Sequence, residues 1–288
     1  MDSLVDVAWL QAHINEPRLI VLDCTVGFEL DEAGRLVFHS GRTDWEAAHI
    51  PRSNFADILG ELSVQDSPYQ FTLPDAEQFE SAMESIGVGD GAIVILYDTT
   101  YSMWATRVWW MLNAFGFENA AVLDGGFTAW KAAGGEVTDA PPNVQDATFT
   151  ADLRDGWFVD QADVVGAVEQ STSTCVIDAL MPDMYSGASA PYGRAGHIPG
   201  AINVPAVAVV DENTRRFLDE GELRKMFNAA LYDPEQSVIT YCGGGIAATA
   251  DAFLLKRLGK ENVAVYDGSM AQWTDDPSLP LVVGEHPR

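Results

Sequence analysis

The sequence predicts two tandem α/β domains, each a mainly parallel sheet flanked by helices, and three observations carry that reading. Short β-branched runs alternate with segments of helical apolar spacing, the pattern of strands joined by crossover helices. Four segments of the first half recur in the same order in the second, so one fold is written twice. A chain of 288 residues with 47% hydrophobic side chains has enough apolar material for two cores of ordinary domain size.

The first copy opens with "LIVLDC" (Leu19 to Cys24), which has the length and composition of a buried strand, followed by "AAHIPRSNFAD" (Ala47 to Asp57). "PDAEQFESAMESIG" places Phe79, Ala82, Met83 and Ile86 at helical spacing. "AIVILY" (Ala92 to Tyr97) is a second buried strand that runs into "DTTYSMWATRVWWML", and "NAAVLDGGFTAW" (Asn119 to Trp130) closes the copy. The second half answers with "TCVIDAL" (Thr174 to Leu180), "AGHIPGAINVP" (Ala195 to Pro205), "SVITYCGGGIAATADAFLL" (Ser237 to Leu255) and "NVAVYDGSMAQW" (Asn262 to Trp273). Between them "AAGGEVTDAPPNVQDAT" is rich in glycine, proline and polar residues and reads as a linker. The expected domains are therefore 1–145 and 146–288.

Composition excludes more than it names. Forty-three acidic residues against sixteen basic ones give a formal charge of −27, which repels phosphate backbones and anionic membranes, so neither nucleic acid nor membrane is an expected partner. The amino terminus lacks the basic start and apolar core of a secretory signal, and no run is long enough to span a bilayer. A cytoplasmic protein is expected. Cys24, Cys175 and Cys242 are too few and too scattered for a disulfide framework or a zinc cluster, and no metal site is expected.

Cys242 differs from the other two thiols in its setting. It follows the strand "VITY", precedes Gly243, Gly244 and Gly245, and stands just before a helix expected to start near Ala247. In open parallel sheets ligands gather beyond the carboxyl ends of strands. A helix start offers unpaired N–H groups and partial positive charge, and glycines let successive amides turn around one anion. A thiolate is such an anion, so this loop predicts a lowered thiol pKa and a nucleophile. Cys24 and Cys175, in predicted buried strands, read as small hydrophobes, which is also the plain alternative for Cys242.

With "GHIPGAINVP", "HIPRSNF", "RVWWML", "LDGGFTAW", "YDGSMAQW" and the cysteine loop in this order, nearly the whole chain resembles the rhodanese superfamily, specifically its two-domain sulfurtransferases acting on thiosulfate or 3-mercaptopyruvate. The resemblance implies that Cys242 takes the outer sulfur of a small anionic donor as a persulfide. It then passes that sulfur to cyanide, a thiol or a protein thiol. The amides from Gly243 through Gly245, Ile246, Ala247 and Ala248 would hold the charge, and no cofactor is required. Asp98 stands opposite Cys242 in the first copy, followed by bulky Tyr101, Met103 and Trp104 that are expected to obstruct a cradle, so this copy reads as inert and as one wall of the cleft.

Several departures from the family pattern bear on the donor. Leu180 and Met184 stand where many relatives carry basic residues, Gly244 replaces a hydroxyl residue, and Leu59 and Phe71 occupy the places of an aspartate and a histidine. Arg194, without a basic counterpart at Glu46, is the candidate contact for an anionic donor; pairing with a carboxylate is its alternative. His49 and His197 recur before Ile-Pro in both copies and read as structural, as do Asp178 and Asp267 with their partners Asp23 and Asp124. Two other functions stay open: a non-catalytic persulfide carrier or interaction module, and a phosphatase of the same fold. The phosphatase needs a larger loop with an arginine, where this chain has Ala247, Ala248 and Thr249.

Overall fold

The computed structural model describes residues 1–32, 36–170 and 174–287. The first half contributes strands β1 (Leu4–Val5), β2 (Leu19–Asp23), β3 (Val26–Leu30), β4 (Leu36–Ser40), β5 (Ser53–Phe55), β6 (Ile93–Tyr97) and β7 (Ala120–Leu123). The second contributes β8 (Phe158–Val159), β9 (Thr174–Asp178), β10 (Ile202–Asn203), β11 (Ser237–Tyr241) and β12 (Val263–Tyr266). Two five-stranded sheets result, ordered β1-β7-β6-β2-β5 and β8-β12-β11-β9-β10, and every neighbouring pair is parallel. The same connectivity twice is the architecture that the repeated segments predict.

Apolar β-branched runs without alternation place β6 and β11 at the centres, covered on both faces. Register brings Asp23 level with Tyr97 and Asp178 level with Tyr241, so each half presents a carboxylate and a tyrosine where its central strands end. Beyond those ends the helices Met103–Ala114 and Ala247–Arg257 begin, and the two pack against each other at the junction of the halves. Thr106 and Thr249 share a 3.0 Å hydroxyl hydrogen bond at that contact.

The junction is closed by reciprocal ties. Asp124 accepts from the Phe217 N–H of the other half at 2.9 Å, and Asp267 accepts from the Leu73 N–H at 2.9 Å. These two aspartates occupy the same place in the repeated "LDGGF" and "YDGSM" segments, and bracing is what both do.

Residues 139–154 form no helix or strand and run along the first half. Glu80 and Glu84 accept from the Ala151 and Phe149 amides, and Arg154 N–H reaches the Ala114 carbonyl. Among the elements that the sequence did not announce, β3 and β4 form an antiparallel hairpin with Phe28 opposite Phe38. No helix among the described residues is long and apolar enough to cross a membrane.

Candidate active site

β11 delivers Cys242 to the junction of the halves, and the helix behind it begins at Ala247 as the sequence predicts. The backbone N–H groups of Ala248, Gly244 and Ile246 surround its sulfur, each acting to lower the thiol pKa. The three glycines have separate tasks. Gly245 takes the left-handed turn at φ +73, and a Cβ there would meet the Asp267 carbonyl at 2.7 Å. A Cβ at Gly243 would overlap the Tyr192 phenol at 2.0 Å, whereas Gly244 has ordinary φ and its nearest neighbour is the Phe71 ring at 3.5 Å.

Two residues outside the loop fix its shape. Ser269 Oγ accepts from the Cys242 N–H at 3.1 Å and the Gly245 N–H at 3.0 Å while donating to the Tyr266 carbonyl at 2.8 Å. Arg107, fully buried, crosses from the first half. Its guanidinium donates to the Gly245 carbonyl (3.1 Å), the Phe71 carbonyl (2.7 Å) and Asp267 Oδ1 (2.8 Å). The sequence reading missed both; for Arg107 the signal was a lone charge in the apolar run "ATRVWWML".

The expected lowering of the thiol pKa is not met. Burial pushes the Cys242 thiol up, with the Asp178 charge acting in the same direction, and the three amides offset only part of this. The reason is enclosure: Cys242 is 2% exposed at a cleft of about 350 Å³ lined by apolar side chains. Leu180, Met181 and Met184 line it from the second half, and Phe38, Phe71 and Trp104 from the first. Tyr101 and Met103 join them, so the first half does form a wall. Leu59 packs on the core and is not among the lining residues.

Of the expected contacts, Gly243, Gly244, Ile246 and Ala247 line the cleft, Ala248 contributes its N–H, and Gly245 turns away toward Arg107. Arg194 is a correction. Its guanidinium donates to the Asp276 carbonyl at 2.8 Å and the Leu279 carbonyl at 2.6 Å, satisfying backbone acceptors near the carboxyl terminus, and it does not line the cleft.

The first half supplies a second correction. Asp98 does not face an obstructed loop: its carboxylate accepts from the amides of Thr100 (2.8 Å), Ser102 (3.1 Å), Trp104 (3.0 Å) and Ala105 (3.1 Å), and from the Thr100 hydroxyl (3.2 Å). The bulky side chains of Tyr101, Met103 and Trp104 turn into the cleft wall, leaving their backbone free, and Ser102 takes the left-handed turn at φ 62. An anion cradle thus exists in both copies.

The remaining candidates are structural. His49 and His197 bond the Trp45 and Tyr185 carbonyls and stack on those same rings. Burial pushes both Cys24 and Cys175 up, the latter to about 11. A larger depression of about 630 Å³ lies by Thr174, Ser237 and Asn262, at the opposite ends of the strands, with no cysteine or histidine in its lining. Among the described residues no group of His, Cys, Asp and Glu is placed to hold a metal ion.

The model of the rhodanese-like domain matches twice, over residues 6–133 and 161–276. The 3-mercaptopyruvate sulfurtransferase of Escherichia coli K12 is 30% identical, with 96% of each chain covered. The mitochondrial thiosulfate/3-mercaptopyruvate sulfurtransferase 1 of Arabidopsis thaliana is also 30% identical, over 97% of this chain and 78% of that one. Among solved structures, SseA from Escherichia coli, a 3-mercaptopyruvate sulfotransferase, superposes with a TM-score of 0.83 at 29% identity, covering 93% of this chain and 99% of that one. Duplicated sheets, a cysteine in an amide cradle in one copy and these matches along both halves lead to one statement: the chain belongs to the rhodanese family and carries two rhodanese-like domains in tandem.

Proposed function

We propose that this protein is a sulfurtransferase that moves a sulfane sulfur from thiosulfate or 3-mercaptopyruvate to a thiol or cyanide through a persulfide on Cys242. The observation that carries it is the convergence of three backbone N–H groups on one cysteine sulfur at the end of a central strand. The thiolate attacks the donor's outer sulfur. A bond forms between the Cys242 sulfur and that sulfur, and the donor's bond to it breaks, releasing sulfite from thiosulfate or the pyruvate enolate from 3-mercaptopyruvate. The acceptor then attacks the outer sulfur and Cys242 leaves as thiolate. The amides of Gly244, Ile246 and Ala248 are fixed before reaction, so the persulfide charge is met without rearrangement.

Ser269 and Arg107 are positioning residues in this scheme, since they hold the loop and not the sulfur. A division of labour at the 145/146 border, a cytoplasmic site of action and a protein thiol as one acceptor belong to the same proposal. Intact-mass measurement after mixing with thiosulfate tests it. One added sulfur is expected on the parent protein and on Cys24→Ser and Cys175→Ser, and none on Cys242→Ser. Sulfur retained by folded Cys242→Ser would overturn the assignment.

A further inference from the structure

We propose that the cleft over Cys242 takes an uncharged, apolar thiol, so that the acceptor is a hydrophobic organic sulfhydryl and the product its persulfide. This rests on the sulfurtransferase reading and adds to it the chemistry of the carbon group. No Asp, Glu, Lys, Arg or His is among the described residues that line the cleft. A carboxylate or sulfonate placed there would lose its water and gain no cation, so the anionic donors are held weakly and an anionic acceptor gains nothing from its charge. The three amides near Cys242 give no relief, because they are aimed at the sulfur.

Two arginines near the cysteine loop are committed elsewhere. Arg107 is used by Gly245, Phe71 and Asp267, and Arg194 by Asp276 and Leu279. Arg215 lies over the outer side of the wall, against the Tyr101 ring at 4.2 Å; its Nη1 is buried without a hydrogen-bond partner, but the residue does not line the cleft. The formal charge of −27 adds long-range repulsion of anions.

What the cleft does offer is apolar surface. Phe38, Phe71 and Trp104 pack in mutual edge and tilted contacts at 4.9 and 5.5 Å, presenting ring faces and edges to an entering group. Met103, Met181 and Met184 give that group an adaptable, polarizable surround. At the rim Phe28 and Met181 are each 42% exposed, surface that an apolar ligand would cover. A space of about 350 Å³ is at the small end of ligand sites and holds one aromatic or branched aliphatic group.

In the step itself the acceptor sulfur attacks the outer sulfur of the Cys242 persulfide. The new bond is the S–S bond of R–S–SH, the broken one joins the outer sulfur to Cys242, and the acceptor's proton passes to the released Cys242 thiolate. One sulfane sulfur moves and no outside oxidant or reductant is needed.

The experiment loads the protein with inorganic polysulfide, verifies one added sulfur by intact mass, removes the excess and follows discharge by benzyl mercaptan and by 2-mercaptoethanesulfonate at equal thiolate concentration. Benzyl mercaptan is expected to discharge at least about tenfold faster, the range an apolar pocket gives for small differences in a ligand. In Leu180→Arg, with Met184→Lys as a second variant, the ratio is expected to shrink or invert. Equal rates, or a faster sulfonate, in the loaded parent protein overturn the apolar class while leaving sulfur transfer standing. Failure to load at all overturns the sulfurtransferase reading and this inference with it.

Discussion

Replacing Arg107 with Met keeps the length of the side chain and removes the charge that joins the two halves at the cysteine loop. Three acceptors lose a partner: two backbone carbonyls and the Asp267 carboxylate. Each orphaned buried acceptor costs about 1–3 kcal/mol, and breaking a buried ion pair from one side costs about 3–5 kcal/mol in all. Asp267 retains the Leu73 N–H and is 18% exposed, which softens its share. The contact of the guanidinium with the Phe158 ring at 4.9 Å is also lost. A loss of about 3–5 kcal/mol in unfolding free energy is expected, measured by guanidinium chloride titration. The Gly245 carbonyl is freed as well, so the alkylation rate of Cys242 is expected to change in the folded variant. Arg107→Met combined with Asp267→Leu is expected to recover part of the loss, because no unpaired charge remains. A single variant within about 1 kcal/mol of the parent, alkylating at the parental rate, refutes the bracing role.

Gly245→Ala is expected to cost about 2 kcal/mol or more, since its φ of +73 and a Cβ only 2.7 Å from the Asp267 carbonyl leave no strain-free conformation. Gly244→Ala, at ordinary φ, is expected to stay within about 0.5 kcal/mol, and equal losses in denaturant titration would show that the turn is not at Gly245. Burial pushes Asp178 up to about 7 against an unfolded value near 3.9, so below the unfolded value its contribution is fully present. As pH rises from about 4 through about 7 the unfolded chain gives up this proton first, and stability is lost. Relative to Asp178→Asn, the parent is expected to lose up to about 4 kcal/mol across that window, and a pH-independent difference between the two proteins would contradict it. Asp251, buried with neither carboxyl oxygen partnered and also pushed up by burial, acts with the same sign.

The fold was legible because strand-sized β-branched runs and helical spacing are local patterns, and because the second copy repeats them in order. Cys242 was legible for a similar reason: strand end, glycines and helix start are contiguous in "VITYCGGGIAA". What stayed hidden depends on distance along the chain. Arg107 finds its partners 36, 138 and 160 positions away, and a charged residue within "ATRVWWML" gives no hint of their direction. Arg194 was visible as an unmatched cation, but its carbonyl acceptors lie 82 and 85 positions on. Three consecutive glycines do not announce which of them bears the positive φ. The thiol pKa also eluded the local pattern, because the apolar wall opposite Cys242 is assembled from the other half.

Asp98 gives the first domain a resident negative group whose five hydrogen bonds are always made. The second domain holds the same kind of receptor around a sulfur whose thiol burial pushes up, so its anion is not a permanent resident and a lasting charge comes with the sulfane sulfur. Sulfur loading therefore acts on this molecule as ligand binding does, stabilising one half by whatever the amides gain from the persulfide and leaving the other unchanged. The two copies behave as a fixed weight and a variable one on the same beam: the first sets a constant cohesion, and the second reports in its resistance to unfolding how much of the protein is carrying cargo.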